Sequence, residues 1–323
     1  MTDTHEKISY IDAIAKAHEE EMLRDESVVL IGEDVSLYGA GKVIGLVDDK
    51  RIRNTPISEN SFTGMAIGAA MTGLRPIVDL TVASFAYLAS DQIINQASKL
   101  RYMTGGQVQV PLVVRTTSYH NVGVAAQHSD RVHPFFMNCP GLKIIAPSTA
   151  ADMKGLMKSA IRDNDPVLVI EDVGLWAKKE LVPTDPEYLI PIGKADIKKA
   201  GSDVTVVAIS GCLPEALAAA DILEREGISV EVIDPRTLVP LDIETLIQSV
   251  VKTGHLVIID NAHRNNSAAS EIAAVMGEKA FESLKKPIQR VTTPDVHVPF
   301  SPALEKELYP SKDRVVAAVK KIL

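Results

Sequence analysis

The stretch Asn54-Thr55-Pro56-Ile57-Ser58-Glu59-Asn60-Ser61-Phe62-Thr63-Gly64-Met65-Ala66-Ile67-Gly68-Ala69-Ala70-Met71 passes from an extended run into a helix. Thr55 and Pro56 hold the backbone extended, because proline fixes its own φ and steers its neighbour away from the helical region. From Phe62 onward the residues are small and apolar on every side, the pattern of a helix buried all round. One acid, Glu59, stands at the mouth of that helix. Burial there disfavours a bare charge unless a cation or a hydrogen-bond donor meets it. An ordinary role exists too, since a carboxylate at a helix start serves the first-turn N–H groups. Taken alone, the segment favours that capping role. The rest of the chain reverses the preference.

Outward from this stretch, short continuous apolar runs alternate with helical patterns. Upstream, residues 8–23 read as a helix with Ile11, Ile14, Ala15 and Ala17 inward and Glu19, Glu20 and Glu21 toward water, followed by a buried strand at 28–31. Downstream come strand 76–80, helix 88–102, strand 111–115, a long polar stretch at 116–138, strand 142–145, helix 150–162 and strand 166–170. Trp176 and three prolines (Pro183, Pro186 and Pro191) then mark a connector. Alternation resumes with strands at 204–208, 229–233, 256–259 and 288–291, and helices at 214–226, 242–252, 268–279 and 313–323. Apolar strands separated by helices imply parallel sheets covered on both faces. The expectation is an α/β chain of two parallel-sheet domains, residues 1–175 and 196–323, joined by a linker at 176–195.

Composition narrows the function classes. A chain of 323 residues is comfortable for two domains, and 46% hydrophobic with 24% charged residues is an ordinary globular balance. The net charge of -8, with no Lys/Arg block, argues against a nucleic-acid surface. Cys139 and Cys212 lie far apart without a CxxC, so each is expected as a small buried hydrophobe. No signal peptide and no bilayer-spanning run is visible, and the expected setting is cytoplasmic with no membrane partner.

Few chemical motifs survive scrutiny. Gly39-Ala40-Gly41-Lys42-Val43-Ile44-Gly45 approaches a dinucleotide fingerprint, but its spacing is wrong by one residue and no helix opens on it. No Ser or Thr follows Lys42, so a phosphate P-loop fails as well. His120, His128 and His133 fall in the long polar stretch without a zinc-binding spacing. Around His128, Gly123-Val124-Ala125-Ala126-Gln127-His128-Ser129 has small residues that let backbone approach a ligand, which makes His128 the best imidazole for proton work near neutral pH. A lone loop histidine is more often merely solvated.

Glu59 in Thr55-Pro56-Ile57-Ser58-Glu59 and the triplet Gln127-His128-Ser129 together resemble the β subunit of two-subunit E1 components of 2-oxo acid dehydrogenase complexes. These are the pyruvate, branched-chain and acetoin enzymes, on a transketolase-like fold. Ordered matches run from about residue 8 to the carboxyl terminus and include Gly32-Glu33-Asp34-Val35, Gly73-Leu74-Arg75-Pro76, Asp91-Gln92-Ile93-Ile94-Asn95, Pro140-Gly141-Leu142-Lys143 and Pro240-Leu241-Asp242. The resemblance implies a pyrimidine-binding domain for thiamine diphosphate, followed by a transketolase-type carboxyl-terminal domain that helps assemble the oligomer. It makes Glu59 the shielded acid that shares a proton with the cofactor's pyrimidine nitrogen. Phe85 matches the ring that stacks on the pyrimidine, with Tyr87 beside it as a further cofactor contact. Core packing is an equal reading for Phe85. His128 matches a histidine suited to proton transfer or orientation during acyl transfer.

The resemblance also implies a K⁺ held by carbonyl oxygens near Leu112, Ala160, Ile161, Asp163 and Asp165, where an ordinary turn from helix to strand is the alternative. The chain has no GDG segment followed by Asn, the pattern with which such enzymes hold Mg²⁺ and the diphosphate. Mg²⁺ ligands are therefore expected on a separate α subunit, in an α₂β₂ heterotetramer that passes its acyl group to a lipoyl acyltransferase (E2). A split transketolase-like or diketone-cleaving carboligase is the rival enzyme, and a non-catalytic assembly subunit the rival of another class. Three places depart from the family pattern. The loop between Asp34 and Arg53 is short, Ser129-Asp130-Arg131-Val132-His133 is unusually charged, and Ala262-His263-Arg264-Asn265-Asn266-Ser267 replaces a glycine-rich segment.

Overall fold

The computed structural model describes residues 4–38 and 43–323, so most of the near-fingerprint at 39–45 lies outside the described residues. The chain opens with β1 (His5–Ser9), α1 (Tyr10–Arg24), β2 (Val28–Glu33), α2 (Val35–Tyr38), β3 (Ile52–Thr55), α3 (Glu59–Met71) and β4 (Arg75–Val82). There follow α4 (Ser98–Met103), β5 (Val113–Ser118), α5 (Ala125–His128), α6 (His133–Phe136), β6 (Lys143–Ile145), α7 (Ala150–Arg162), β7 (Val167–Asp172) and β8 (Lys179–Pro183). The second half comprises β9 (Asp196–Lys199), β10 (Val204–Ala208), α8 (Leu213–Arg225), β11 (Val230–Asp234), β12 (Thr237–Val239) and α9 (Ile243–Thr253). It closes with β13 (Leu256–His263), α10 (Ala268–Lys279), β14 (Gln289–Thr293), α11 (Pro302–Glu305) and α12 (Lys312–Lys320).

Seven strands form the larger sheet in the order β12-β6-β7-β5-β4-β2-β3, and five form the second in the order β14-β13-β10-β11-β9. Pairing is parallel in both except at one edge of each, where β12 and β9 run antiparallel to their neighbours. Long apolar strands such as Val204–Ala208 are buried along their whole length, as a sheet covered on both faces requires. β12 comes from the second half of the chain yet completes the first sheet, so the two halves are stitched together. One apolar core accordingly runs from Phe62 and Leu80 to Ile258 and Ile272.

Several local expectations change. The helix expected from residue 8 starts at Tyr10, because His5–Ser9 pairs with β8, and β8 lies in the segment expected as a connector. Ile11 faces out, whereas Glu21 is fully buried. The cause is α7, which sets Arg162 Nη2 at 2.8 Å from Glu21 and the Nζ atoms of Lys154 and Lys158 at 2.8 and 2.5 Å from Glu20. The helix expected at 88–102 is present as a run from residue 90 to 103, entered through a tight turn at Ala83–Tyr87 and widened to π-helical geometry at Gln92–Ala97 before α4. α3 is buried on one face only, with Met65 and Met71 exposed. Cys139 and Cys212 are buried and unpaired, as expected. Among the described residues no helix is long and apolar enough to cross a membrane.

Candidate active site

The parallel strands β2, β3 and β4 end side by side. Glu33 is in register with Thr55, and Gly32 with Asp79. A Cβ at position 32 would lie 2.5 Å from the Asp79 carbonyl oxygen, so only glycine lets the two strands approach this closely. Just past β3 the chain turns into α3, whose first residue is Glu59, 5% exposed. Ligands of open parallel sheets bind outside these carboxyl ends.

The capping role does not fall to Glu59. The Ser58 carbonyl accepts the N–H groups of Ser61 and Phe62 at 2.9 and 3.1 Å, and the Ser58 hydroxyl turns back to the Pro56 carbonyl at 3.1 Å. Beside Glu59 stands an acid given no role on sequence grounds. Burial raises the Glu33 carboxyl above its ordinary range, and the charges of Glu59, Asp34 and Asp79 raise it further. Glu33 Oε2 and the Thr55 hydroxyl are buried without a hydrogen-bond partner among the described residues. The sequence alone does not single Glu33 out: only the pairing of β2 with β3 sets it beside the segment that leads to Glu59.

β4 delivers the aromatic residues and the loop after β5 delivers the histidine. The Phe85 ring meets the His128 imidazole edge-on, with centroids 5.5 Å apart, and the Ser84 hydroxyl donates to the Gln127 carbonyl at 2.6 Å. Tyr87 turns elsewhere, packing edge-on against Phe135 at 5.5 Å. Its phenol is pushed up to about 12 by burial and then by the Asp130 charge. Phe85 and His128 are thus brought together, while Tyr87 belongs to a neighbouring aromatic cluster. Behind them, Arg115 bridges Asp79 at 2.6 Å and Glu171 at 2.7 Å, a buried triad that holds β4, β5 and β7 in fixed relation.

The five residues considered for K⁺ gather at the opposite edge of the sheet. The Leu112 carbonyl accepts from Val167 at 2.9 Å and that of Ala160 from Asp163 at 3.2 Å. Arg75 Nη1 donates to the carbonyls of Ile161 and Asp163 at 2.9 and 2.8 Å, and Nη2 to Asn164 Oδ1 at 2.6 Å. The Asp163 and Asp165 side chains are committed to Lys143 at 2.6 Å and Arg101 at 2.5 Å. What remains for a cation is the second lone pair of each carbonyl. Among the described residues no cluster of three or more His, Cys, Asp or Glu side chains could hold a metal ion.

Comparison with known proteins gives the family. The family model for the transketolase pyrimidine binding domain matches residues 6–177, and that for the transketolase C-terminal domain matches 193–315. The acetoin:2,6-dichlorophenolindophenol oxidoreductase subunit beta of Bacillus subtilis is 44% identical over 98% of this chain and 97% of its own. The human mitochondrial pyruvate dehydrogenase E1 component subunit beta is also 44% identical, over 98% of this chain and 91% of its own. The 2-oxoisovalerate dehydrogenase subunit beta of Bacillus subtilis is 42% identical, over 98% of each chain. The chain belongs to the E1 β-subunit family of thiamine-diphosphate-dependent 2-oxo acid dehydrogenases. A solved structure described as a split gene transketolase, an inactive beta4 tetramer, superposes with a TM-score of 0.84 at 26% identity over 98% of each chain. In the terms of the family, the strand-end acids and the Phe85–His128 pair lie in the pyrimidine binding domain, and β9 through α12 make up most of the C-terminal one.

Proposed function

We propose that this chain is the β half of a cytoplasmic E1 enzyme that decarboxylates a 2-oxo acid and passes the acyl group to a lipoyl carrier. Within it, residues 1–175 present the pyrimidine side of the site and 196–323 support that side. The observation that carries the proposal is the pair Glu33 and Glu59, two neighbouring acids at the sheet's carboxyl edge, with Glu33 Oε2 buried and unpartnered among the described residues. Burial and the neighbouring charge of Glu59 both favour the protonated form of Glu33, and a carboxyl pair of this kind suits exchange with a ring nitrogen. Thiamine diphosphate fits that demand: Glu59 would meet the pyrimidine nitrogen, with Glu33 beside it as a supporting acid. When bound, the cofactor supplies the electron sink that decarboxylation requires.

Phe85 offers a face for the pyrimidine, with Tyr87 further along the same turn. His128, half-buried against Phe85, moves or holds the proton during transfer to the acceptor. The apolar stripe of α3 and the open edge strand β3 flank Glu59 and suit a large partner interface. That partner is an α subunit carrying the Mg²⁺ and diphosphate ligands this chain lacks, in an α₂β₂ assembly, with E2 as the acyl acceptor. Pyruvate, branched 2-oxo acids and acetoin are the substrates to compare. K⁺ is proposed on carbonyl oxygens alone, beside Arg75.

Calorimetry of the purified chain with Mg²⁺ and thiamine diphosphate tests the split site. Weak or absent binding is expected, rising to tight binding once the α chain is added, because most of the diphosphate's ligands are then supplied. Tight binding by the chain alone refutes the split site.

A further inference from the structure

The loop that leads to His128 is held from the other domain. Asn121, Gly123 and Ala125 all have left-handed backbone, with φ of 56°, 71° and 59°. Alternating conformations of this kind turn successive N–H groups toward one side, where they form a concavity suited to an anion. The anion here is Glu305, fully buried at the end of α11. Its Oε1 accepts the Asn121 N–H at 2.7 Å and its Oε2 accepts the Gly123 N–H at 3.0 Å, across 184 and 182 residues of sequence.

The same segment grips the loop a second time. The Tyr309 ring meets His120 edge-on at 5.2 Å and lies 5.2 Å from the Arg131 guanidinium carbon. Arg131 in turn donates to the carbonyls of Tyr119 and Ser129 at 2.9 and 2.8 Å, tying the two ends of the loop together. Between the Glu305 anchor and His128 lie only Val124 and the single turn of α5. Any shift of the anchored N–H groups must therefore move the imidazole relative to Phe85.

We propose that Glu305 is a positioning residue for His128: from the carboxyl-terminal domain, its carboxylate fixes the loop so that the imidazole stands edge-on to Phe85. The inference rests on the transfer role given to His128 above. It gives the second domain a part in the reaction beyond assembly. Glu305→Gln tests it, because the amide keeps the size but sets an NH₂ donor against an N–H donor at one of the two contacts.

In the enzyme reconstituted with its α chain, Glu305→Gln is expected to slow acyl transfer on the order of tenfold, as a small misplacement of a reacting group does. The KM for the 2-oxo acid and hydrogen exchange at the cofactor's C2 should stay within about twofold, since neither needs His128 in place. Amide exchange across 119–128, read by mass spectrometry, should accelerate. Combined with His128→Ala, Glu305→Gln should add no further loss, because the two act through one group. Glu305→Asp keeps both acceptor oxygens and should recover part of the rate. It also carries the double-variant test if the Gln variant does not fold.

Wild-type transfer by folded Glu305→Gln, or losses that multiply in the double variant, overturns the proposal and leaves the role of His128 standing. Wild-type transfer by His128→Ala instead removes the reading of His128, and the proposal falls with it.

Discussion

The two ends of the larger sheet treat their acids in opposite ways. At the amino-terminal edge every charge of the turn after α7 is answered: Asp163 by Lys143, Asp165 by Arg101, and the carbonyls of Ile161 and Asp163 by Arg75. At the carboxyl-terminal edge Glu33, beside Glu59, and the neighbouring Thr55 each keep a buried oxygen with no hydrogen-bond partner among the described residues. Both sets belong to the same seven-stranded sheet. The difference is one of purpose, because buried polar groups are normally satisfied and an exception needs a reason. One edge closes the fold, and the other is the one proposed above to be completed by a ligand and a partner.

Substitutions at the two edges should therefore fail differently. Glu59→Gln is expected to abolish turnover by a factor on the order of a hundred or more, since an amide cannot exchange the proton. Its thermal unfolding should match or exceed that of the wild type, because among the described residues no ion pair ties the Glu59 carboxylate down. Wild-type turnover by that variant would sink the assignment.

At the other edge, Arg75→Met leaves two buried carbonyls and Asn164 without their donor and should cost about 2–3 kcal/mol. Activity per folded molecule should stay within about twofold of wild type. If K⁺ occupies those carbonyls, replacing Na⁺ by K⁺ at fixed ionic strength should raise the melting temperature of this variant. A large loss of turnover in folded Arg75→Met would erase the contrast between the edges.

What the sequence disclosed follows the same physics. Apolar runs such as Val204–Ala208 and Ala150–Arg162 with its capping Thr149 announce themselves locally, and their bounds agree with the structure within a residue or two. β1, β8, β9 and β12 did not, because short edge strands with mixed polarity owe their form to a distant partner. Ile11 and Glu21 were placed on the wrong sides for a related reason. Amphipathic periodicity cannot foresee that Arg162 and Lys158 arrive from α7 to meet an inward acid. The motifs single out Glu59, Phe85 and His128, and the structure brings Phe85 and His128 together. Glu33 was hidden as the last residue of a strand, and Glu305 by the 182 residues that separate it from Gly123.

Asp234 shows whether an unpaired acid always marks a working edge. It ends β11 at the carboxyl side of the second sheet, fully buried, with Oδ2 lacking a partner among the described residues. Burial, and then the Asp152 charge, push its carboxyl up to about 7, with Lys198 opposing them. A raised carboxyl binds its proton more tightly in the folded chain, so stability falls as pH rises from the unfolded value near 4. The loss is complete once pH passes the folded value of about 7. Asp234→Asn removes that loss and keeps an oxygen for the Arg236 N–H, now 2.9 Å away. The variant should be more stable than wild type at pH 8 and no more stable below about pH 4, with turnover unchanged. Melting curves across that range decide it. A gap that does not change with pH would mean the cost lies in packing rather than charge, and a loss of turnover would place Asp234 in the machinery with Glu33.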